Sequence, residues 1–298
     1  MTFSPNQALK GVRILSLALN LPGPAALMRC RAMGAQCIKL EPPPPAGAAK
    51  GASADPMQSY CATAYAQMHS SIRTLIADLK SDTGRTLLHR ELAKADVLLT
   101  SFRPSALTRL GLGWKGLHQT YPRLAMVAIV GATGARAEQP GHDLTYMAEN
   151  QLLNGLNLPT SLYADMGGSL MVSEAILQAR LLQLQKGKSV RLEVALGDAA
   201  AYLGLPRHWG LTAPGTAVGG GHAGYQVYAC KDGRVAVAAL EPHFAGALAA
   251  LAGLQDSRLP FFFTPQARTA MQAFMQGKTR KQLDALALAH DIPLHTLV

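Results

Sequence analysis

The chain has 298 residues, of which 49% are hydrophobic and 15% charged, with a formal charge of +10. This is enough apolar material for one large domain or two moderate ones, and nothing in it reads as disordered over a long stretch. The basic residues are scattered and aromatic residues make up only 6%. With no helix-turn-helix or RNP-like pattern beside them, the positive balance fits an anionic small molecule, or no charged partner, at least as well as nucleic acid.

In chain order, residues 12–19 read as a buried strand, followed by a turn signal at Leu21-Pro22-Gly23-Pro24. A helix over 25–33 ends at Gly34, and 36–40 read as a second strand, so a right-handed crossover and parallel pairing are expected. Residues 42–56, rich in Pro, Ala and Gly, form a loop. A strand over 72–77 follows, then a helix from an Asp82 cap to about 94. Asp96–Ser101 and 124–130 read as strands, with short helices after Pro104 and Trp114 between them. An apolar helix is expected over 168–185; its polar residues make it too polar for a membrane span. From about 200 the texture changes. Tyr225–Tyr228 and Val235–Leu240 form a β-hairpin with an Asp-Gly turn, and helices cover 242–253, 265–276 and 279–289.

The reading is therefore an α/β chain, a Rossmann-like open parallel sheet over 1–200 followed by a smaller α+β domain over 201–298. The first seven residues lack a basic start followed by an apolar stretch, so no secretory leader is expected. Cys30, Cys37, Cys61 and Cys230 show no metal spacing and read as reduced, cytoplasmic thiols. The histidines form no zinc pattern, the first strand is not followed by GxGxxG, and neither a P-loop nor a GxSxG is present.

Three acid/base residues stand in short motifs of their own. They are His142 in Gly-His-Asp-Leu-Thr-Tyr, Asp165 in Ala-Asp-Met-Gly-Gly-Ser and Glu241 in Ala-Leu-Glu-Pro-His-Phe. Taken singly, each has a plainer reading: a turn histidine, a helix N-cap and a carboxylate capping the helix that starts at Pro242. As a set they supply what two-base proton transfer needs, one group to remove a proton and another to return it. Asp143 reads as a cap or loop tie.

The order of these motifs, together with Leu9-Lys-Gly-Val-Arg-Ile-Leu, Pro22-Gly23-Pro24, Met33–Pro42, Ala95–Pro104, Leu110–Trp114, Tyr121–Leu124 and Lys231-Asp-Gly-Arg, resembles the family III CoA-transferases of the CaiB/BaiF type. Within them it is most similar to the α-methylacyl-CoA racemase branch. The resemblance implies an acyl-CoA thioester as substrate, no cofactor or metal beyond its coenzyme A moiety, and an interlocked homodimer. It implies that His142 and Asp165 serve the two faces of the α-carbon. Glu241 of a second copy would orient His142, and backbone N–H groups at a helix opening at Gly167 would hold an enolate oxygen. It places coenzyme A at Pro22, Gly23, Pro24, the Lys39/Glu41 strand end, Arg73 and Arg103. Two other outcomes stay open: CoA transfer with Asp165 as nucleophile, and a non-catalytic acyl-CoA-binding or partner subunit. The second follows from two departures. Where many members carry Asn-Arg-Gly-Lys/Arg, this chain has His69-Ser70-Ser71-Ile72 before Arg73, and its smaller domain is shorter than usual. The acyl group, whether methyl-branched fatty acyl, bile-acid-like or small branched, is not readable.

Overall fold

A computed structural model describes residues 7–298; most of the stretch read as lacking a leader lies outside the described residues. The chain divides into two compact units, the first ending at Gly204 and the second spanning Leu205–Val298.

The first unit is built on six parallel strands: β1 (Arg13–Ser16), β2 (Gln36–Glu41), β3 (Arg73–Ile76), β4 (Val97–Thr100), β5 (Ala125–Val130) and β6 (Arg191–Ala195). Their order is β3-β2-β1-β4-β5-β6. Neighbouring residues point to opposite faces. Ile14, Leu99 and Val127 pack with Leu27, Val172 and Ile176 on one side, while Leu15, Leu98 and Met126 pack with Leu88, Leu92 and Leu117 on the other. With helices covering both faces, the central strands lose the apolar/polar alternation, and every residue of β5 is buried. Between β1 and β4 the chain turns from building the sheet in one direction to building it in the other. The loops leaving those two strands diverge and open a crevice at their carboxyl ends.

Several boundaries differ from the expectation. The helix Pro22–Ala32 starts three residues before the expected 25, with proline at its first position as the turn signal allows, because proline's fixed φ and missing N–H suit that position. Gly23 is required by close approach: a Cβ there would lie 2.3 Å from the Ala18 Cβ. Ser81, not Asp82, caps Asp82–Leu92, accepting from the Gly84 N–H at 3.0 Å. Two short helices, Pro56–Tyr60 and Ala62–Met68, follow the proline-rich loop. Strand β6 and the helix Leu196–Leu203 after it were not anticipated; the outer half of β6 is polar and partly exposed.

In the second unit β7 (Tyr225–Cys230), β8 (Gly233–Ala238) and β9 (Leu294–Leu297) form an antiparallel sheet in the order β7-β8-β9. Tyr228, Val235 and Val237 pack beneath Leu248, Phe262, Met271, Met275 and Leu283. The hairpin turn is Lys231-Asp232, one residue earlier than read, since Gly233 already pairs with Cys230. Gly233 is small for a tertiary reason: its Cβ would lie 2.4 Å from the Leu297 carbonyl oxygen of β9. No helix among the described residues is long and apolar enough to cross a membrane.

Candidate active site

A cavity of about 150 Å³ opens at the carboxyl end of the parallel sheet, built entirely from the first unit. Its walls come from the loop after β1 (Leu19, Asn20, Pro22), the loop after β4 (Ser101, Arg103), the end of β5 (Gly131), the loop before His142 and the residue after β6, Leu196. His142, Tyr146 and Asp165 also line it. Four of the residues expected at a site, Pro22, Arg103, His142 and Asp165, therefore converge, although they lie on four different segments.

Local sequence holds each one. His142 is the N-cap residue of the helix Asp143–Glu149. Its backbone is tied by Thr145, whose hydroxyl accepts from the His142 N–H (3.1 Å) and donates to its carbonyl (2.7 Å), leaving the exposed imidazole outside the cap. Asp165 lies in the first turn of the long helix Tyr163–Lys186, which has no side-chain cap of its own. The cap is supplied by the buried Asp143, whose Oδ1 accepts from the Asp165 N–H at 2.9 Å. The expected structural role of Asp143 is thus met by a bond between helices.

Burial, and secondarily the Asp143 charge beside it, push the Asp165 carboxyl up to about 7. A group poised near neutrality can give or take a proton at physiological pH. The helix start differs from the expectation. Gly167 lies in its second turn, so its N–H belongs to the helical ladder and is not free for an oxyanion. Gly167 and Gly168 serve packing instead: a Gly168 Cβ would meet the Leu196 side chain at 2.3 Å.

Tyr146 had no expected role. Its hydroxyl occupies space left by two glycines, since a Cβ on Gly131 or Gly141 would lie 2.5 or 2.6 Å from it. Burial first, then the charge of Asp165, raise its pKa, so it stays protonated in the cavity wall. The signal for it was its place four residues after His142, one helical turn along.

The remaining expected ligand residues lie elsewhere. Gly23 and Pro24 are buried in helix-to-strand packing, and Arg73 is exposed at the start of edge strand β3. Glu241 belongs to the second unit, where it is the exposed N-cap residue of Pro242–Leu251 without capping through its side chain. Lys39, read as a coenzyme A contact, is fully buried and does not reach the cavity. Its ammonium pairs with Glu41 at 2.8 Å, with Asp55, and with His69 Nε2 at 2.9 Å. His69 Nδ1 donates to the Tyr65 carbonyl at 2.6 Å, so Nε2 presents a lone pair to Lys39 and the ring is neutral. Burial and then the Lys39 charge hold its pKa below the ordinary histidine value. Glu41, Asp55 and His69 bring ligand-type atoms within 4.8 Å of one another, but the lysine ammonium already fills the position a cation would take.

Residues 9–297 match the family model described as CoA-transferase family III. The chain belongs to that family. It is 30% identical over 273 residues to the mouse α-methylacyl-CoA racemase, covering 85% of this chain and 66% of that protein. It is also 33% identical over 139 residues to the cinnamoyl-CoA:phenyllactate CoA-transferase of Clostridium sporogenes, covering 45% of this chain and 34% of that one. The chain thus spans about two thirds of the mouse racemase's length. Its fold matches the crystal structure of a hypothetical protein from Mycobacterium tuberculosis with a TM-score of 0.78 at 23% identity, over 98% of this chain and 83% of that one.

Proposed function

We propose that this family III member epimerises the α-carbon of a 2-methylacyl-CoA by two-base proton transfer. The observation that carries the reading is a carboxyl held at about 7, Asp165, in the same cavity as His142. A thioester acidifies its α-carbon, yet a weak base removes that proton only if the enolate is stabilised and a second group stands ready on the other face. One of His142 and Asp165 takes the proton, the other returns one, and the direction of turnover decides which. The thioester activates the carbon, so the mechanism requires no metal or redox group beyond coenzyme A itself.

A second reading is CoA transfer, as in the name of the Clostridium relative. There Asp165 attacks the thioester and needs to be an anion. A carboxyl near 7 is half protonated at neutral pH, which suits proton transfer better than nucleophilic attack. The proposed assembly is a homodimer in which Glu241 of a second copy orients His142. It is supported by a run of exposed apolar side chains, Leu156, Leu158, Leu162, Tyr163, Met166 and Leu170, around the start of the long helix.

The test is incubation of (2R)- and (2S)-methyl-branched acyl-CoA with the protein in D2O, followed by mass spectrometry and chiral analysis. Deuterium at C2 from both epimers, with loss of chirality, is expected. No exchange, with acyl-CoA binding shown separately, would retire the racemase reading, and an aspartyl adduct at Asp165 would then favour transfer.

A further inference from the structure

The buried ion cluster has one arm that leaves it. Asp55 is 0% exposed, and its two carboxylate oxygens face different ways. Oδ2 takes the Lys39 ammonium. Oδ1 accepts from two backbone N–H groups, those of Met57 and Asn20, each at 3.0 Å. The first caps the short helix Pro56–Tyr60. The second reaches 35 residues back, to the loop after β1 that forms one wall of the cavity.

Asn20 needs such a hold. Its φ is +64°, in the left-handed region, which asparagine tolerates better than other non-glycine residues but which its own backbone does not favour over the ordinary regions. Its neighbour Leu19 is fixed on the other side by the Ser101 hydroxyl, at 3.2 Å. The partners of Asp55 are arranged so that its carboxylate cannot turn away. Lys39 has three donors and spends them on Glu41, Asp55 and the His69 lone pair. Tyr65 and Ser53 hold Glu41 in turn, through the Tyr65 hydroxyl at 2.9 Å and the Ser53 hydroxyl.

We propose that Asp55, anchored by Lys39, is a positioning residue that locks the left-handed turn at Asn20 and so keeps the cavity wall in its binding shape before substrate arrives. This rests on the reading that the cavity takes acyl-CoA. Without the lock the free protein samples other loop conformations. Substrate then binds only the competent fraction, and apparent affinity falls by that fraction while the bound complex turns over normally. Lys39, at the end of β2, acts through Asp55 and does not contact coenzyme A.

The test combines hydrogen exchange with titration of coenzyme A into the full-length protein. Asp55→Ala leaves Lys39 paired with Glu41, so no buried charge is stranded. Amide exchange in the peptide covering Leu17–Pro24 should rise at least tenfold, with the helix Tyr163–Lys186 unchanged as a control for folding. The Kd for coenzyme A should rise at least fivefold, with kcat at saturating acyl-CoA within about twofold. Asp55→Asn turns its amide NH2 either on the Lys39 ammonium or on the Asn20 N–H, two donors where a carboxylate oxygen is needed, and should lose protection as Asp55→Ala does. Unchanged exchange in Leu17–Pro24, or a rise shared equally by the long helix, overturns the proposal. So does an Asp55→Asn variant as well protected in that loop as the unaltered protein. If the unaltered protein fails to bind coenzyme A, the functional reading fails, and the exchange arm still decides whether Asp55 locks the turn.

Discussion

Replacing Asp165 with asparagine should make the protein more stable, and increasingly so as pH rises. The carboxyl titrates at about 7 in the fold against an ordinary 3.8, so the folded state holds that proton more tightly than the unfolded chain does. Below about pH 4 both states are protonated and nothing is lost. Between the two values the unfolded carboxyl ionises while the folded one resists, so stability falls with rising pH. Above about 7 the full penalty is present. At 1.36 kcal/mol per pKa unit it is on the order of 4 kcal/mol. Asp165→Asn removes the term, because an amide has no charge to bury and no charge to oppose Asp143. Urea unfolding followed by the fluorescence of Trp114, which lies in the same unit as Asp165, in a Trp209→Phe background gives the comparison. The variant should gain roughly 2–4 kcal/mol at pH 8 and under about 1 kcal/mol at pH 4. A gain that does not grow with pH, or equal destabilisation at both values, would refute the idea that Asp165 is held protonated by its surroundings. Activity should move the opposite way, since the strain removed is the strain that tunes the acid/base group.

Three further outcomes are expected. His142→Ala should lower C2 deuterium exchange about 10²–10⁴-fold, the usual worth of one positioned acid or base; a transferase would tolerate the change, and full epimerisation of both enantiomers by the variant would exclude the two-base assignment. Ser71 stands at φ +61°, a left-handed conformation that glycine adopts without a Cβ penalty. Ser71→Gly should therefore raise unfolding free energy by about 0.5–1 kcal/mol after allowance for the freer unfolded chain, read from the same urea melts. Gly23→Ala puts a methyl 2.3 Å from the Ala18 Cβ. It should cost about 1–3 kcal/mol and weaken coenzyme A binding, because the helix start carrying Pro22 must retreat from β1; calorimetric titration and melts check both.

Local patterns carried most of the fold. The runs at Ile14-Leu15, Leu98-Leu99 and Met126-Val127 are apolar on consecutive residues, the mark of a sheet covered on both faces, and glycine or proline punctuates most of the intervening helices. The elements missed were those lacking such a mark. Strand β6 begins Arg191-Leu192-Glu193 with its outer half exposed, and β9 has four residues with no more than half-burial. Both exist because a neighbouring strand, β5 or β8, offers an edge to pair with.

The site was legible as a set of residue types in order, and His142, Asp165, Arg103 and Pro22 do share one cavity. Their environments were not legible. Nothing near Asp165 in the chain says that burial would lift its pKa, or that Asp143, 22 residues earlier, would cap its helix and add to that lift. Nothing near Lys39 distinguishes a phosphate ligand at a strand end from a counterion sealed among Glu41, Asp55 and His69. Backbone periodicity and turn chemistry act over a few residues, so the sequence by itself determined the alternation of strands and helices and the motifs they carry. Burial and charge act through space, so only the packed structure decided which lysine faces solvent, which carboxyl keeps its proton and which glycine makes room for the Tyr146 hydroxyl.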